Sequence, residues 1–197
     1  MGLSIHYSGR FNESASLKDL IEEVKDVAEI YKWKYAIFEE SFPADSLGKV
    51  DYDPENIYGI LFSPPGCEPV YLSFLSNGRM SGPPFLQFWG RPNNKSEAAY
   101  LYMLSTKTQF AGATIHKLVI HLLRHLSQKY LLDFKLTDEG HYWETGDEQL
   151  LDETFAQYTS LIDGFATVLE TLPPGAGENF TAYFERLMKL VEKRYKK

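Results

Sequence analysis

Apolar and polar residues alternate at the start of the chain. Leu3, Ile5 and Tyr7 interleave with Ser4, His6 and Ser8, which predicts a strand with one polar face. From Leu17 the period changes. Leu17, Leu20, Ile21, Val24, Val27, Ala28 and Tyr31 recur at helical spacing, with Ser14 or Ser16 placed to cap the helix. WKYAIFEE, IYGILFSP and PVYLSFLS then read as strands, the last two separated by a Pro-Pro-Gly turn. Asn77-Gly78 follows at once, and Asn-Gly supplies the positive φ angles of a tight hairpin. GPPFLQFWGRPNNKSEA predicts a long aromatic loop, and AYLYMLSTKTQF a further strand.

The second half is more helical. Ile115, Val119, Leu122, Leu126 and Tyr130 form one stripe of an amphipathic helix. LLDFKLTDE returns to strand alternation, with Leu132, Phe134 and Leu136 on one side. Two helices close the chain, one from about Asp147 to Leu172 and one over NFTAYFERLMKLVEKRY, joined by PPGAG.

The order is β-α-β-β-β-β-α-β-α-α. It predicts an α+β fold: a mostly antiparallel sheet of about six strands with helices on one face. Over the first two thirds this is the element order of the TATA-binding-protein-like folds, an analogy of order alone, which carries no functional information. Residues 1–197 are read as one domain, with 147–197 a helical pair within it or appended to it.

Composition narrows the function classes. The 13 Tyr, 13 Phe and 3 Trp favour a sheet or an aromatic-lined cleft over a plain bundle. A net charge of −7 disfavours nucleic acid and anionic membrane as partners. It suits a basic partner. Cys67 stands alone, no apolar leader opens the chain, and no run approaches a membrane span, so the expected setting is cytoplasmic. No Walker loop, Gly-x-Gly-x-x-Gly or Gly-x-Ser-x-Gly is present, so no cofactor is expected.

Three places carry candidate chemistry. The acidic stretch LTDEGHYWETGDEQLL places carboxylates around His141, but it lacks the alternate oxygen ligands of a calcium loop. Thr145 and Glu148 instead fit a capping box ahead of an apolar run, with Tyr142 and Trp143 as anchors. His121 and His125 share a helical face at i, i+4 and could hold a metal if His141 or Glu144 supplied a third ligand. The outward sheet face offers His6, Ser8 and Arg10, with Lys107 and Gln109 in matching parity, and Arg79 and Lys135 able to join them. Loop 81–95, carrying Phe85, Phe88, Trp89 and Arg91, would overhang that face.

Two functions follow. The leading one is a non-enzymatic soluble protein that binds a protein or small ligand through the polar sheet face and the aromatic loop. The alternative is a metal-dependent or other enzyme centred on His121, His125, His141 and Glu144. Exposed aromatics leave a homodimer open.

Overall fold

A computed structural model describes residues 2–91, 97–172, 175 and 177–195. The chain separates into two compact units, residues 1–151 and 152–197.

The first unit contains strands β1 (Ser4–Phe11), β2 (Lys34–Ile37), β3 (Tyr58–Ser63), β4 (Val70–Phe74), β5 (Leu104–Lys107) and β6 (Leu131–Asp138). Its helices are α1 (Leu17–Ile30), α2 (Pro83–Trp89), α3 (Gly112–Tyr130) and the single turn α4 (Tyr142–Thr145). The class is α+β and the strands are antiparallel, but they do not form one six-stranded sheet. They form two sheets of three, ordered β5-β1-β6 and β2-β3-β4.

The reason lies at the outer edge of β1. β5 occupies only its first half, pairing Ser4 to Tyr7 with Lys107 to Leu104. The second half is taken by the segment after the Asn77-Gly78 turn, through an Arg10–Arg79 bridge and the bonds Met80 N–H to Gly9 O (3.0 Å) and Phe11 N–H to Gly78 O (2.7 Å). The same segment folds back on β4, where Phe74 bridges Met80 and Ser81 N–H donates to Ser73 O at 3.0 Å. One short extended stretch therefore stitches the two sheets. The turn before it uses a single positive φ, at Gly78 (+82°), with Gly78 N–H to Leu75 O and Leu75 N–H to Arg79 O both 2.9 Å. That is a three-residue loop closed by a left-handed glycine, not the two-residue turn that Asn-Gly predicts.

Two further expectations shift. The start of the predicted aromatic loop is helical: Pro83 and Pro84 sit in the first turn of α2, where their missing N–H groups cost nothing. The stretch 97–102 is a 3-10 helix, so the expected long strand shrinks to the four residues of β5.

The core follows the alternation. Leu3, Ile5, Tyr7 and Phe11 of the first strand are buried, as are Leu20, Ile21 and Val24 of α1 and Ile60, Phe62, Leu72 and Phe74 of the second sheet. Trp33 stacks on Phe62 with centroids 5.6 Å apart, and Phe11 meets Phe74 edge-on at 5.3 Å. Helix α1 begins at Ser16, whose hydroxyl accepts the Asp19 N–H at 3.2 Å.

α1 is tied to α3 by the Glu23 carboxylate, which accepts from His125, from Lys129 Nζ (2.7 Å) and from the Tyr130 hydroxyl (2.7 Å). Burial acts to raise its pKa, but the three donors outweigh burial and hold it at about 2. A depressed carboxyl contributes stability above its unfolded value and loses it as pH falls through the folded one. Glu23→Gln is therefore expected to cost about 1–2 kcal/mol at neutral pH. The gap between variant and wild type should close as melting is followed from pH 5 down toward 2. A gap that persists unchanged in acid would show that the carboxylate charge is not what ties the helices.

The second unit is built from most of α5 (Glu148–Thr171) and from α6 (Phe180–Tyr195). It closes around Leu187, fully buried beneath Phe165, Leu172 and Tyr183. Arg186 pairs with Glu178 at 2.8 Å. The PPGAG connector falls largely outside the described residues. No helix among the described residues is long and apolar enough to cross a membrane.

Candidate functional site

The acidic stretch is organised by Asp138, the last residue of β6. Its Oδ1 accepts the Gly140 N–H at 2.7 Å, and its Oδ2 accepts the N–H groups of Tyr142 (2.8 Å) and Trp143 (3.1 Å). His116 Nε2 lies 3.1 Å from the same oxygen, and both side chains are fully buried. A carboxylate can only accept, so this nitrogen carries the hydrogen. Thr108 Oγ1 completes the chain at 2.7 Å from His116 Nδ1. Burial acts to raise Asp138, but the His116 hydrogen bond and charge, with the amides, hold it below its ordinary value. Gly140 is required by closeness: a Cβ there would come within 3.1 Å of both Asp138 Oδ1 and His116 Nε2.

Thr108, His116 and Asp138 form a hydroxyl–imidazole–carboxylate chain. All three are sealed from solvent, and Asp138 accepts from three backbone amides besides His116. The network fixes the strand exit. His116 was hidden in the sequence by its company. The buried stripe of α3 is His116, Val119, Ile120, Leu123, Leu126 and Tyr130: Val119, Leu126 and Tyr130 stand where predicted, and His116 and Leu123 take the places of Ile115 and Leu122. The i, i+3, i+4, i+7 run from His116 is the signal that marks it.

The predicted capping box is also displaced. Thr145 ends α4, donating its hydroxyl to His141 O at 2.6 Å, and Gly146 closes the turn in the left-handed region. The cap of α5 is Asp147, whose Oδ1 accepts the Leu150 N–H at 3.0 Å. Glu148 reaches Lys117 (2.8 Å). Tyr142 is the buried anchor, while Trp143 lies against Arg124 (4.8 Å) and Phe134 (6.0 Å).

The four metal candidates do not converge. His121 Nε2 meets the Tyr142 hydroxyl at 3.1 Å, His125 is committed to Glu23, and Glu144 Oε1 accepts the Asp138 N–H at 3.2 Å. His141 occupies the left-handed position before α4. Among the described residues, no group of three His, Cys, Asp or Glu could hold a metal ion.

The outward sheet face does come together. Ser8, Arg10, Arg79 and Lys135 line one cleft of about 470 Å³ with Lys49, Tyr102 and Asp133. Arg10 and Arg79 are directly opposed across an antiparallel bridge. Like charges in that position repel. Each is held by a different device. Arg10 Nη2 donates to Asp133 Oδ2 at 2.7 Å, and the Arg79 guanidinium lies 3.3 Å over the centre of the Tyr102 ring.

The first device sits at a bulge. Ser8 opposes Lys135 but Arg10 opposes Leu132, so β6 carries one extra residue. Asp133 sits in it at φ +52°, a conformation Asp tolerates better than most residues. Asp133 keeps its carboxylate on Arg10 across the bulge, and of the predicted alternation of β6 Phe134 and Leu136 hold while Leu132 is turned outward, 46% exposed.

The remaining predicted residues lie elsewhere. His6 faces outward beside Glu139 (3.6 Å). Lys107 shares the outward side, paired with Ser4 in register. Gln109 is buried, with its side chain beside that of Lys107 against Gly2. Phe85, Leu86 and Trp89 of α2 pack on Ile57, Leu75 and Leu101, so the aromatic segment covers core. Phe88 stays exposed at 69%, and Arg91 pairs with Glu55 at 2.8 Å. Residues 92–96 of the predicted loop lie outside the described residues.

Cys67 forms no disulfide, and burial with the neighbouring Glu68 pushes its thiol up to about 12, which leaves it unreactive at neutral pH. No family model matches the chain, and neither any curated protein nor any solved structure is significantly similar to it.

Proposed function

We propose that the protein is a non-enzymatic binding module that seats a small anionic ligand in the cleft between Arg10 and Arg79. The observation that carries this reading is the opposed arginine pair. Four cationic side chains, Arg10, Lys49, Arg79 and Lys135, line the cleft against the single carboxylate of Asp133. The excess is three positive charges, in a chain whose net charge is −7. Folding alone gives no reason to set two guanidinium groups face to face across strands. An arrangement that breaks a local rule marks a functional place more often than a structural one.

Size fits the same reading, since small-molecule sites occupy roughly 300–1,000 Å³. The acidity of the rest of the surface argues against a nucleic-acid backbone as the occupant. Cytoplasmic residence belongs to the proposal and is supported by a lone cysteine with no partner.

The test is calorimetric titration with pyrophosphate and with citrate at low salt. At least one should bind wild-type protein, with affinity that falls as salt rises. Arg79→Glu with Lys135→Glu should abolish binding. Lys49→Glu with Lys135→Glu, which alters only exposed side chains, should do the same without changing the melting temperature. If neither anion binds, or if both double variants bind as wild type does, the cleft is not the site.

A further inference from the structure

Resting on that reading of the cleft, we infer that its ligand is a small phosphorylated molecule, and that Asp133 is the residue that sets its preference among anions. The first argument is geometric. The cations come from β1 (Arg10), the loop before β3 (Lys49), the stitch segment (Arg79) and β6 (Lys135). Donors converging from four separate stretches suit a tetrahedral group, which presents oxygens in several directions. A carboxylate presents two oxygens in one plane, and a single guanidinium fork saturates it.

The cleft already contains the carboxylate case. Asp133 occupies Arg10 through one oxygen and one nitrogen at 2.7 Å. The remaining N–H groups of that fork, and the in-plane edge of Arg79 above Tyr102, are not taken by carboxylates among the described residues. Lys49 and Lys135 likewise have no carboxylate partner there.

The second argument concerns the strength of the resident pair. Arg10 is 49% and Asp133 66% exposed, and an exposed ion pair is weak. A phosphoryl group, with more charge and more acceptors, displaces Asp133 from Arg10. A lone carboxylate only exchanges one such partner for another and gains little. Asp133 therefore acts as a built-in competitor that screens out weak anions. The register Ser8–Lys135 would, if unbroken, set Asp133 directly across from Arg10; the bulge pairs Arg10 with Leu132 instead and leaves Asp133 unpaired at φ +52°, still in reach of Arg10.

The experiment compares pyrophosphate with citrate, an anion of similar charge but planar acceptors, and adds glycerol phosphate and acetate. Wild-type protein should bind pyrophosphate at least tenfold more tightly than citrate, bind glycerol phosphate measurably, and ignore acetate. Asp133→Asn should tighten pyrophosphate about threefold by removing a nearby like charge, and should bring acetate binding into range. Citrate binding as tightly as pyrophosphate would overturn the phosphoryl assignment while leaving the anion cleft standing. Unchanged selectivity in Asp133→Asn, with an unchanged melting temperature, would overturn the role of Asp133. Failure of every anion on wild-type protein would instead remove the cleft itself.

Discussion

Asp138→Ala is expected to lower the stability of the first unit by about 3–5 kcal/mol, the cost of removing a buried carboxylate on which several buried donors converge. The carboxylate serves four donors at once: His116 Nε2 and the N–H groups of Gly140, Tyr142 and Trp143. Removing it leaves all four without an acceptor in a site closed to water. Asp138→Asn should recover only part of the loss, because its amide presents donors to groups that are themselves donors. The pH dependence is specific. Folding holds Asp138 below its ordinary value of 3.8, so its contribution is complete above that value and fades as pH falls through the lower, folded one. The stability of wild type should therefore drop in acid below about pH 4, and this component should vanish in the Ala variant. Trp33, Trp89 and Trp143 all lie in residues 1–151, so tryptophan fluorescence during urea unfolding reads this unit alone. A loss under about 1 kcal/mol would mean that water reaches the site and replaces the carboxylate.

Period and parity were enough to read much of this architecture. Leu3, Ile5 and Tyr7 face the core, and Ser8 and Arg10 face outward, because a side-chain period of two admits no other assignment for a half-buried strand. Helix α1 has one apolar stripe and was equally plain. α3 was not, because Ile115 with Leu122 and Ile120 with Leu123 make two adjacent apolar stripes. Only tertiary packing selects the one that contains His116. The sheet count failed for a related reason. Sequence shows that a strand exists but not how much of its neighbour's edge it occupies, and β5 takes only half of β1.

The cleft was legible in part for the same reasons. Parity places Arg10 on the polar face, and Asp133 with Lys135 on the side of β6 opposite Phe134 and Leu136, but it does not show the Arg10–Asp133 pair. The bulge at Asp133, which turns Leu132 outward, is one unpaired residue with no fixed signature other than a residue that tolerates positive φ. Lys49 was out of reach for a different reason. It lies in a polar loop whose path is set by long-range contacts, such as Gly48 N–H to Asn77 O at 3.2 Å. The role of Asp147 as the cap is hidden because Gly146 ends one helical turn just before the next begins. The Thr-x-x-Glu spacing cannot register that break.

The second large effect is expected from Tyr7→Phe, a loss of about 2–4 kcal/mol from a single oxygen atom. Tyr71 sits on β4, the edge strand of the second sheet, with its N–H and C=O turned away from β3 toward Tyr7. Farther along that edge Ser73 O accepts from Ser81, and Leu75 N–H donates to Arg79 O, so the stitch segment serves both. At Tyr71 the hydroxyl of Tyr7 takes the place of a strand. It accepts the Tyr71 N–H at 2.8 Å and donates to the Tyr71 C=O at 3.2 Å. Burial pushes this hydroxyl above its ordinary pKa, so it keeps the proton that it donates. Phenylalanine fills the same space and leaves both backbone groups buried and unpaired, which separates the hydrogen-bond loss from any cavity. The Tyr71 amide should also lose protection from hydrogen exchange, while amides deep in the β1–β6 ladder keep theirs relative to the lower global stability. If the loss stays below about 1 kcal/mol and the Tyr71 amide remains protected, another acceptor has moved in, and the two sheets are joined by the stitch segment without help from Tyr7.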